Sequence, residues 1–405
     1  MINKANILYK LFPVCIFFAT GCSAQLTSSQ TKWFSDVTET HLPTDEKTHA
    51  LGVALADVNR DGHTDIILAL EKEPNRLYIN DGKGRFTWAR NTFVDKKHDT
   101  EHVKVVDFDG DGFLDVIFVA EDDQNHEYYL GNGDGSFRDV SDRLPAKSEG
   151  NGLDVGDMNG DGLPDIVIGN TGKNPRNFLW LNDKSRPGYF IDHSDALPAH
   201  DDQTQSVKLS DLDGDGFLDM VVGNEVPPNR IYFNDGKGNF SEREGFFTET
   251  VPLHTREVLS FDANGDGLPD LLFANLTSNG GKWERDPRAR LFVNQGRGRF
   301  KDETELRLPA YKFSTYAATI VDFNHDGHPD IILSAVEIPP FRAMQVQALQ
   351  NDGKGRFGFV TGKVIPEITT GRSWEIAVGD VNGDGVDDLV IGGWGSQVRL
   401  LLGRK

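Results

Sequence analysis

Acidic side chains recur at fixed spacing in this chain, and their chemistry is that of metal ligands. The pattern Asp-x-Asp/Asn-x-Asp-Gly-x-x-Asp occurs seven times, starting at Asp57, Asp107, Asp157, Asp211, Asp262, Asp322 and Asp380. A hard cation takes about six to eight oxygen ligands, and a loop with oxygens at positions 1, 3, 5 and 9 can wrap them around one point. Since no His or Cys occupies those positions, the pattern favours calcium over zinc or copper.

Each loop is predicted to contribute four side chains and the backbone carbonyl of position 7 to one ion, giving about seven Ca²⁺ in total. The predicted ligands are Asp57, Asn59, Asp61, His63, Asp65; Asp107, Asp109, Asp111, Phe113, Asp115; Asp157, Asn159, Asp161, Leu163, Asp165; Asp211, Asp213, Asp215, Phe217, Asp219; Asp262, Asn264, Asp266, Leu268, Asp270; Asp322, Asn324, Asp326, His328, Asp330; and Asp380, Asn382, Asp384, Val386, Asp388.

Two other interpretations of the loops compete with this one. The EF-hand loop begins in the same way, but it requires a Glu at position 12 and flanking helices, whereas position 12 here is always apolar, as at Leu68 and Phe118. The acids could also be solvated turn formers, because Asp, Asn and Gly favour turns. Seven copies with identical spacing argue against that, since a turn does not require acids at all four positions.

The segments around each loop read as strands. An apolar stretch precedes the loop, a nearly continuous apolar run such as residues 65–70 follows it, and an alternating stretch then ends in a glycine turn. A fourth strand begins with an aromatic residue in six repeats, and residues 34–38 repeat that pattern and can supply the missing strand to the last one. We therefore predict an all-β, seven-bladed β-propeller of four-stranded blades over residues 32–405, closed by pairing of its two ends. An open solenoid is the alternative.

These repeats resemble the FG-GAP, or VCBS, repeats of bacterial surface proteins and of integrin α-subunit propellers, and the resemblance covers residues 34 to 405. It implies calcium ligands at the matching positions of every loop, placed on the bottom face of the propeller. It also implies ligand binding by loops on the opposite face. It implies no particular activity.

The N-terminal residues read as an export signal. Lys4 and Lys10 precede an apolar run that is too short to span a bilayer. Residues 19–22 (Ala-Thr-Gly-Cys) resemble the lipobox of bacterial lipoproteins, with Ala where Leu is usual. We expect a signal peptide at 1–21, lipidation of Cys22, a flexible tether at 22–31 and an outer-membrane lipoprotein, periplasmic or surface-exposed; an ordinary secretory signal or an uncleaved anchor is the alternative.

Segments before the first strands and after the second strands would lie at the top of the propeller, around its channel. They carry a mixture of aromatic rings, carboxylates and arginines, which is how carbohydrate and peptide sites are often built. The competing interpretation is a polar, water-facing top whose Trp residues pack between blades. The candidate ligand-site residues are His102, His254, Arg256, Glu257, Tyr316, Arg372, Trp374, Glu375 and Trp394.

The function predicted from these features is that of a non-catalytic, calcium-binding envelope propeller that binds a protein or glycan. The net charge of −21, with no basic cluster, makes nucleic acid an unexpected partner. No nucleophile elbow, zinc motif or phosphate loop is present. A carbohydrate-active enzyme, lyase or hydrolase, using His254, Glu257 and Glu375 is the alternative, and a structural subunit of an envelope complex is a third possibility.

Overall fold

Each acidic loop connects two antiparallel strands in the computed structural model of the chain. The structure describes residues 32–44, 48–122, 124–226, 228–249, 252–276, 288–337, 342–371 and 373–405. The predicted signal peptide, Cys22 and the tether lie outside these residues, and so does Arg372. Among the described residues, no helix is long and apolar enough to cross a membrane.

Strands come in consecutive sets, one set around each loop, and we call these sets units 1 to 7 in chain order. Their strands are Ala50–Ala56, Asp65–Glu73, Arg76–Asn80, Phe86–Ala89 (unit 1); His98–Val106, Asp115–Ala120, Glu127–Gly131, Phe137–Asp139 (unit 2); Gly150–Gly156, Asp165–Asn170, Phe178–Asn182, Phe190–Asp192 (unit 3); Thr204–Ser210, Asp219–Asn224, Arg230–Asn234, Phe240–Ser241 (unit 4); Thr255–Phe261, Asp270–Asn275, Arg290–Asn294, Phe300–Asp302 (unit 5); Ala318–Val321, Asp330–Leu333, Gln347–Asn351, Phe357–Phe359 (unit 6); and Ser373–Gly379, Asp388–Gly393, Arg399–Gly403 with Phe34–Asp36 (unit 7). A short hairpin of Val336–Glu337 and Arg342–Ala343 lies within unit 6.

Short helical turns follow several of the fourth strands. The α-helical turns are Thr38–His41, Thr304–Arg307 and Thr361–Val364, and the 3₁₀ turns are Ser141–Arg143, Ser194–Ala196 and Glu367–Thr369. Five of these six turns begin with the Ser or Thr that comes four residues after the Phe that opens the fourth strand. Units 1 and 4 have no such turn among the described residues.

All of the units are antiparallel meanders. Units 3 to 7 each form a four-stranded sheet, whereas units 1 and 2 form one eight-stranded sheet because Glu71 pairs with Asp99 and Glu73 with His98. Phe34–Asp36 pairs with the last strand, with Phe34 opposite Gly403. The fold is thus all-β and built from repeated four-stranded antiparallel sets, as predicted.

Hydrophobic cores lie between neighbouring units, which explains the continuous apolar runs. The second strands are covered on both faces, since Ile66 and Ile67, which point to opposite faces, are both fully buried. One core joins units 2 and 3, and the core around Val53 and Ile66 of unit 1 also contains Val390 and Leu400 of unit 7. The first and last units of the chain therefore share a core.

Candidate metal loops and channel mouth

The seven acidic loops share one backbone conformation, in which amide groups hold the acids in place. In unit 1, the N–H of Gly62 donates to Oδ2 of Asp57 at 2.9 Å, and the N–H of His63 donates to Oδ1 of Asp61 at 2.9 Å. The same bonds, from position 6 to position 1 and from position 7 to position 5, recur in every loop. These hydrogen bonds therefore fix the orientation of the carboxylates.

The glycine at position 6 is required by the backbone and not by lack of space. Gly62 has a φ of +87°, in the left-handed region, and a Cβ added there would meet nothing within 4 Å. A side chain would strain the loop because only glycine adopts such angles at little cost. The turn brings positions 5 and 7 back toward position 1, as a cation loop needs.

The aspartate at position 9 is buried and ties the loop to the sheet. Asp165 accepts hydrogen bonds from the N–H of Met158 at 2.8 Å and from that of Asn182, in the third strand, at 2.8 Å. Burial raises the pKa of Asp165 to about 7, although these two N–H groups lower it. The pKa is also raised to about 6 or 7 at the other position-9 residues, Asp65, Asp115, Asp219, Asp270, Asp330 and Asp388.

The raised pKa values of the position-9 aspartates indicate whether a cation would fit the loops. The pKa of Asp165 is raised further by the nearby carboxylates Asp157 and Asp161, so the loop without an ion holds mutually repelling charges. A divalent cation would relieve that repulsion and compensate the desolvation of the buried carboxylate. The oxygen-only donor set, the preset orientation and the charge all fit Ca²⁺, to which the position-7 carbonyl would be a further ligand.

Two loops carry Asp instead of Asn at position 3. One oxygen from each of Asp107, Asp109 and Asp115 lies within 4.8 Å of the others, and Asp211, Asp213 and Asp219 are arranged in the same way. In unit 4 the additional charge is compensated, because Nη1 of Arg243 lies 2.5 Å from Oδ2 of Asp213. Arg243 thus contacts Oδ2 of Asp213, while Oδ1 accepts a hydrogen bond from the N–H of Asp215 at 3.2 Å.

A set of asparagines that sequence reasoning missed links five of the seven units to the preceding unit. Nδ2 of Asn182 donates to the Pro164 carbonyl of its own loop at 3.1 Å and to the Phe108 carbonyl of the preceding unit at 2.8 Å. The equivalent bonds to the preceding unit are Asn234 to Met158, Asn294 to Leu212 and Asn351 to Ala263. Asn80 of unit 1 makes the same bond to Val381 of unit 7, at 2.7 Å. The signal was visible as an Asn that ends the third strand before the glycine turn; units 2 and 7 have Gly131 and Gly403 there.

The first strands line a channel with a cavity of about 380 Å³. Every unit contributes to the lining of this cavity, which includes Gly52, His102, Gly152, Ser206, Glu257, Ala318 and Glu375. Charged groups face each other inside it. Nζ of Lys104 and of Lys208 lie 3.2 and 3.1 Å from the two oxygens of Asp154. Burial alone would raise the pKa of Asp154, yet the two lysines hold it below its ordinary value.

Two glutamates of the predicted ligand site also face this channel. Burial raises the pKa of Glu257 well above its ordinary value, and the neighbouring charge of Glu375 raises it further. Burial raises the pKa of Glu375 as well, while Lys104 lowers it. His102 lies beside this pair, with Nδ1 3.9 Å from Oε2 of Glu375, and burial lowers the pKa of His102 to about 4. Burial therefore favours the uncharged form of all three side chains.

Four rings from three units form a stack beside the channel. The ring centroids of Tyr316 and Trp374 are 4.0 Å apart, those of Trp374 and Trp394 are 5.0 Å apart, and His49 stacks on Trp394 at 4.9 Å. The guanidinium of Arg256 lies 5.6 and 5.4 Å from the Tyr316 and Trp374 centroids. All five side chains are half-buried.

The structure thus brings together seven of the nine predicted ligand-site residues, namely His102, Arg256, Glu257, Tyr316, Trp374, Glu375 and Trp394. Nδ1 of His254 lies 2.7 Å from the Glu225 carbonyl oxygen. Sequence reasoning missed His49 and the channel lysines.

Comparisons with known proteins agree with this architecture. A family model described as FG-GAP-like repeat matches residues 57–118, 107–168, 157–222, 211–273, 262–333 and 341–391. Cartilage acidic protein 1 of Xenopus tropicalis is 27% identical over 197 residues, which are 46% of this chain and 28% of that protein. The chain therefore spans about a quarter of the length of this relative. Crystal structures of BBS1N in complex with ARL6DN, soaked with lead or with mercury, are similar at TM-scores of 0.56 and 0.54. Each is 8% identical and covers 92% of this chain and 98% of its own, so these matches concern the fold alone.

Proposed function

Because the chain belongs to the FG-GAP-like repeat family, we propose that it is a calcium-stabilised interaction scaffold of the cell envelope, a closed seven-bladed propeller that binds a protein or glycan at its channel mouth. The observation that carries the proposal is the identical hydrogen-bonded conformation of the seven loops.

Three contacts support a closed ring of seven blades. The bond from Asn80 to Val381 between units 1 and 7 repeats the bond that joins consecutive units. The channel takes a residue from every unit. Phe34–Asp36 completes the sheet of the last unit. A closed ring hides strand edges that an open array would leave free to aggregate. This is a reason for placing the N-terminal strand in the sheet of the last unit.

Calcium in all seven loops is supported by their donor chemistry and by their charge. Each loop brings together three or four carboxylates at its ligand positions, of which the one at position 1 is half-buried and the one at position 9 is buried. Loops of this composition match extracellular modules, whose calcium dissociation constants are on the order of 10⁻⁴ to 10⁻³ M. Such affinities suit an exported protein. We propose that residues 1–21 direct its export and that lipidation of Cys22 anchors it to the membrane.

The channel mouth is the proposed ligand site. Arg256 beside Tyr316 and Trp374 offers a cation and ring edges, and Glu101, with a pKa raised by burial to about 8, offers a carboxyl group that can donate a hydrogen bond. Proximity of cationic, aromatic and carboxyl groups is suited to the hydroxyl-rich and charged groups of a glycan or a peptide.

Two measurements test this function separately. Elemental analysis of the purified protein should give about seven Ca²⁺ per chain. A glycan array and affinity capture from envelope extracts, run with Trp374→Ala and Arg256→Ala, should identify a ligand whose binding both changes weaken at least tenfold. The control is Tyr189→Ala, which removes a ring that is 37% exposed, away from the channel lining. Unchanged binding by the Trp374 and Arg256 variants would remove the channel mouth as the site.

A further inference from the structure

The outer edge of the third strand is covered in the same way in most units. In unit 3, the N–H of Leu179 donates to Oγ of Ser194 at 3.1 Å, and its carbonyl accepts from the N–H of His193 at 2.8 Å. Ser194 opens the helical turn that follows the fourth strand. The chain's own fourth strand and the turn after it therefore satisfy both backbone groups at this point of the edge.

Four other units repeat this arrangement, and one replaces it by a longer strand. The amides of Tyr128, Leu291, Ala348 and Leu400 donate to the hydroxyl groups of Ser141, Thr304, Thr361 and Thr38 respectively. Their carbonyls accept from the N–H groups of Val140, Glu303, Val360 and Val37. In unit 1 the fourth strand is longer, and Leu77 pairs directly with Ala89.

Unit 4 departs from the pattern at Ile231. The register places Ile231 opposite Val221, as Leu179 is opposite Val167 in unit 3. The fourth strand of unit 4 is only two residues long, Phe240–Ser241, and pairs with Phe233 and Asn234. Glu244 stands where units 2, 3, 5, 6 and 7 have Ser or Thr. Among the described residues, no group from the outer side is hydrogen-bonded to the N–H or carbonyl of Ile231.

A groove of about 900 Å³ lies over this uncovered edge. Its lining includes the strand residues Ile231 and Phe233 and the rings of Phe246 and Phe247. Those two rings are fixed in place, because they pack against Phe233, Phe273 and Phe292. The groove therefore combines a rigid apolar wall with the two backbone groups of Ile231 that the fourth strand leaves unpaired.

We propose that this groove receives an extended peptide segment of a partner protein, which pairs with unit 4 at Ile231, beyond the end of the short fourth strand. Only a peptide backbone offers a donor and an acceptor at strand spacing, and pairing along a free edge is a known mode of peptide recognition. The five covered units give the chemistry of the occupant: a Ser or Thr hydroxyl opposite the N–H of Ile231, and a peptide N–H opposite its carbonyl.

Charge at the groove adds a preference for basic residues beside that hydroxyl. Arg230 is paired with Asp202 and Glu242, and Arg243 is paired with Asp213, so the groove's arginines are compensated. Glu244 is exposed and forms no ion pair among the described residues. The chain as a whole carries −21. A basic segment is therefore favoured at this groove. This surface is separate from the channel lining and does not depend on the function proposed above.

Two synthetic heptapeptides serve as probes. One has the sequence of residues 190–196, Phe-Ile-Asp-His-Ser-Asp-Ala, which covers Leu179, and the other has Lys in place of both Asp residues. Binding to the full chain is measured by calorimetry, and exchange of the Ile231 amide is followed by NMR. We expect Ile231 to exchange at least tenfold faster than Leu179 in the free protein and to slow when the Lys peptide binds. We also expect the Lys peptide to bind at least fivefold more tightly than the Asp peptide.

Two variants make the result decisive. The double change Glu242→Asp with Glu244→Ser gives unit 4 the Asp and Ser of the covering segment, so that peptide binding should be lost while the fold is kept. The control is Glu39→Ser, which removes an exposed acid of unit 7. This variant should bind the peptide as the unchanged protein does. A Lys peptide N-methylated at the residue before its Ser should not bind. Slow exchange of Ile231 in the free protein, or equal binding by the methylated peptide, would overturn the proposal. If the Ile231 amide exchanges slowly in the free protein and this protection is lost on dilution, the groove is occupied by a second copy of the chain. If the protection is lost when residues 1–31 are removed, the groove is occupied by the chain's own N-terminal segment.

Discussion

Removal of calcium should lower the melting temperature of this protein by an amount that reports how many loops are loaded. A ligand that binds only the folded state stabilises it by about 2.7 kcal/mol per site when its concentration is about 100 times the dissociation constant. At about 10 mM Ca²⁺ and a dissociation constant on the order of 10⁻⁴ M, that condition is met. Seven loaded loops would then contribute about 19 kcal/mol.

The size of the folded unit converts this free energy into a temperature shift. Lys32–Lys405 is one compact unit, and an unfolding entropy of about 2.1 cal/mol/K per residue gives about 0.8 kcal/mol/K for the whole of it. Seven loops therefore predict a shift of about 24 °C between 10 mM Ca²⁺ and excess chelator. If only the two loops with Asp at position 3 were loaded, the shift would be about 7 °C.

Differential scanning calorimetry in Ca²⁺, in Mg²⁺ and in chelator measures the shift, alongside elemental analysis. Mg²⁺ should give much less stabilisation, because it dehydrates reluctantly and demands octahedral geometry. Asp161→Ala should remove one ion and about 3 °C of the calcium-dependent shift, whereas Asp142→Ala, at an exposed position outside the loops, should remove neither. A shift below about 3 °C for the unchanged protein, with fewer than two bound ions, would refute the assignment of the loops as calcium sites.

Three further changes follow from the packing. Asn234→Ala should lower stability by about 1–3 kcal/mol in urea titrations, since it leaves the buried carbonyl of Met158 without its donor; Asn132→Ala, at an exposed turn, should change it little. Phe34→Ala should cost about 3–5 kcal/mol, because this ring is 2% exposed in a core shared with units 6 and 7; a smaller loss than that of Asn234→Ala would contradict the role given to the N-terminal strand. Glu375→Gln should raise the melting temperature at pH 8 and leave it unchanged at pH 4. The reason is that a carboxyl group whose pKa is raised in the folded state destabilises the fold as the pH rises above the pKa of the unfolded state. An equal effect at both pH values would show that the charge is not the cause.

The repeat could be predicted because its determinants are local in sequence. The spacing of acids around Gly62 and its equivalents fixes a loop in which the hydrogen bonds to positions 1 and 5 span no more than five residues. Period-2 alternation and the Phe at the start of each fourth strand likewise concern neighbouring residues, so strand order within a unit followed from the sequence. The pairing of residues 34–36 with the last unit was deduced by counting the fourth strands.

Contacts between units could not be predicted from the sequence, because they join residues that are far apart in the chain. The bond from Asn80 to Val381, the clamp of Asp154 between Lys104 and Lys208, and the stacking of His49 on Trp394 depend on how units are placed beside each other. Seven of the nine predicted channel-mouth residues were nevertheless brought together, since position within a repeat indicates which end of the sheet a residue occupies.

The sequence by itself determined the oxygen-rich loops, the strand pattern and the all-β class, because each depends on the order of residues within one repeat. Only the tertiary structure decided which charges share a channel, which asparagines bind the neighbouring unit and that the edge at Ile231 is left uncovered. Those features depend on backbone groups and distances between units, and every peptide carries the same N–H and carbonyl whether or not the fold provides them with partners.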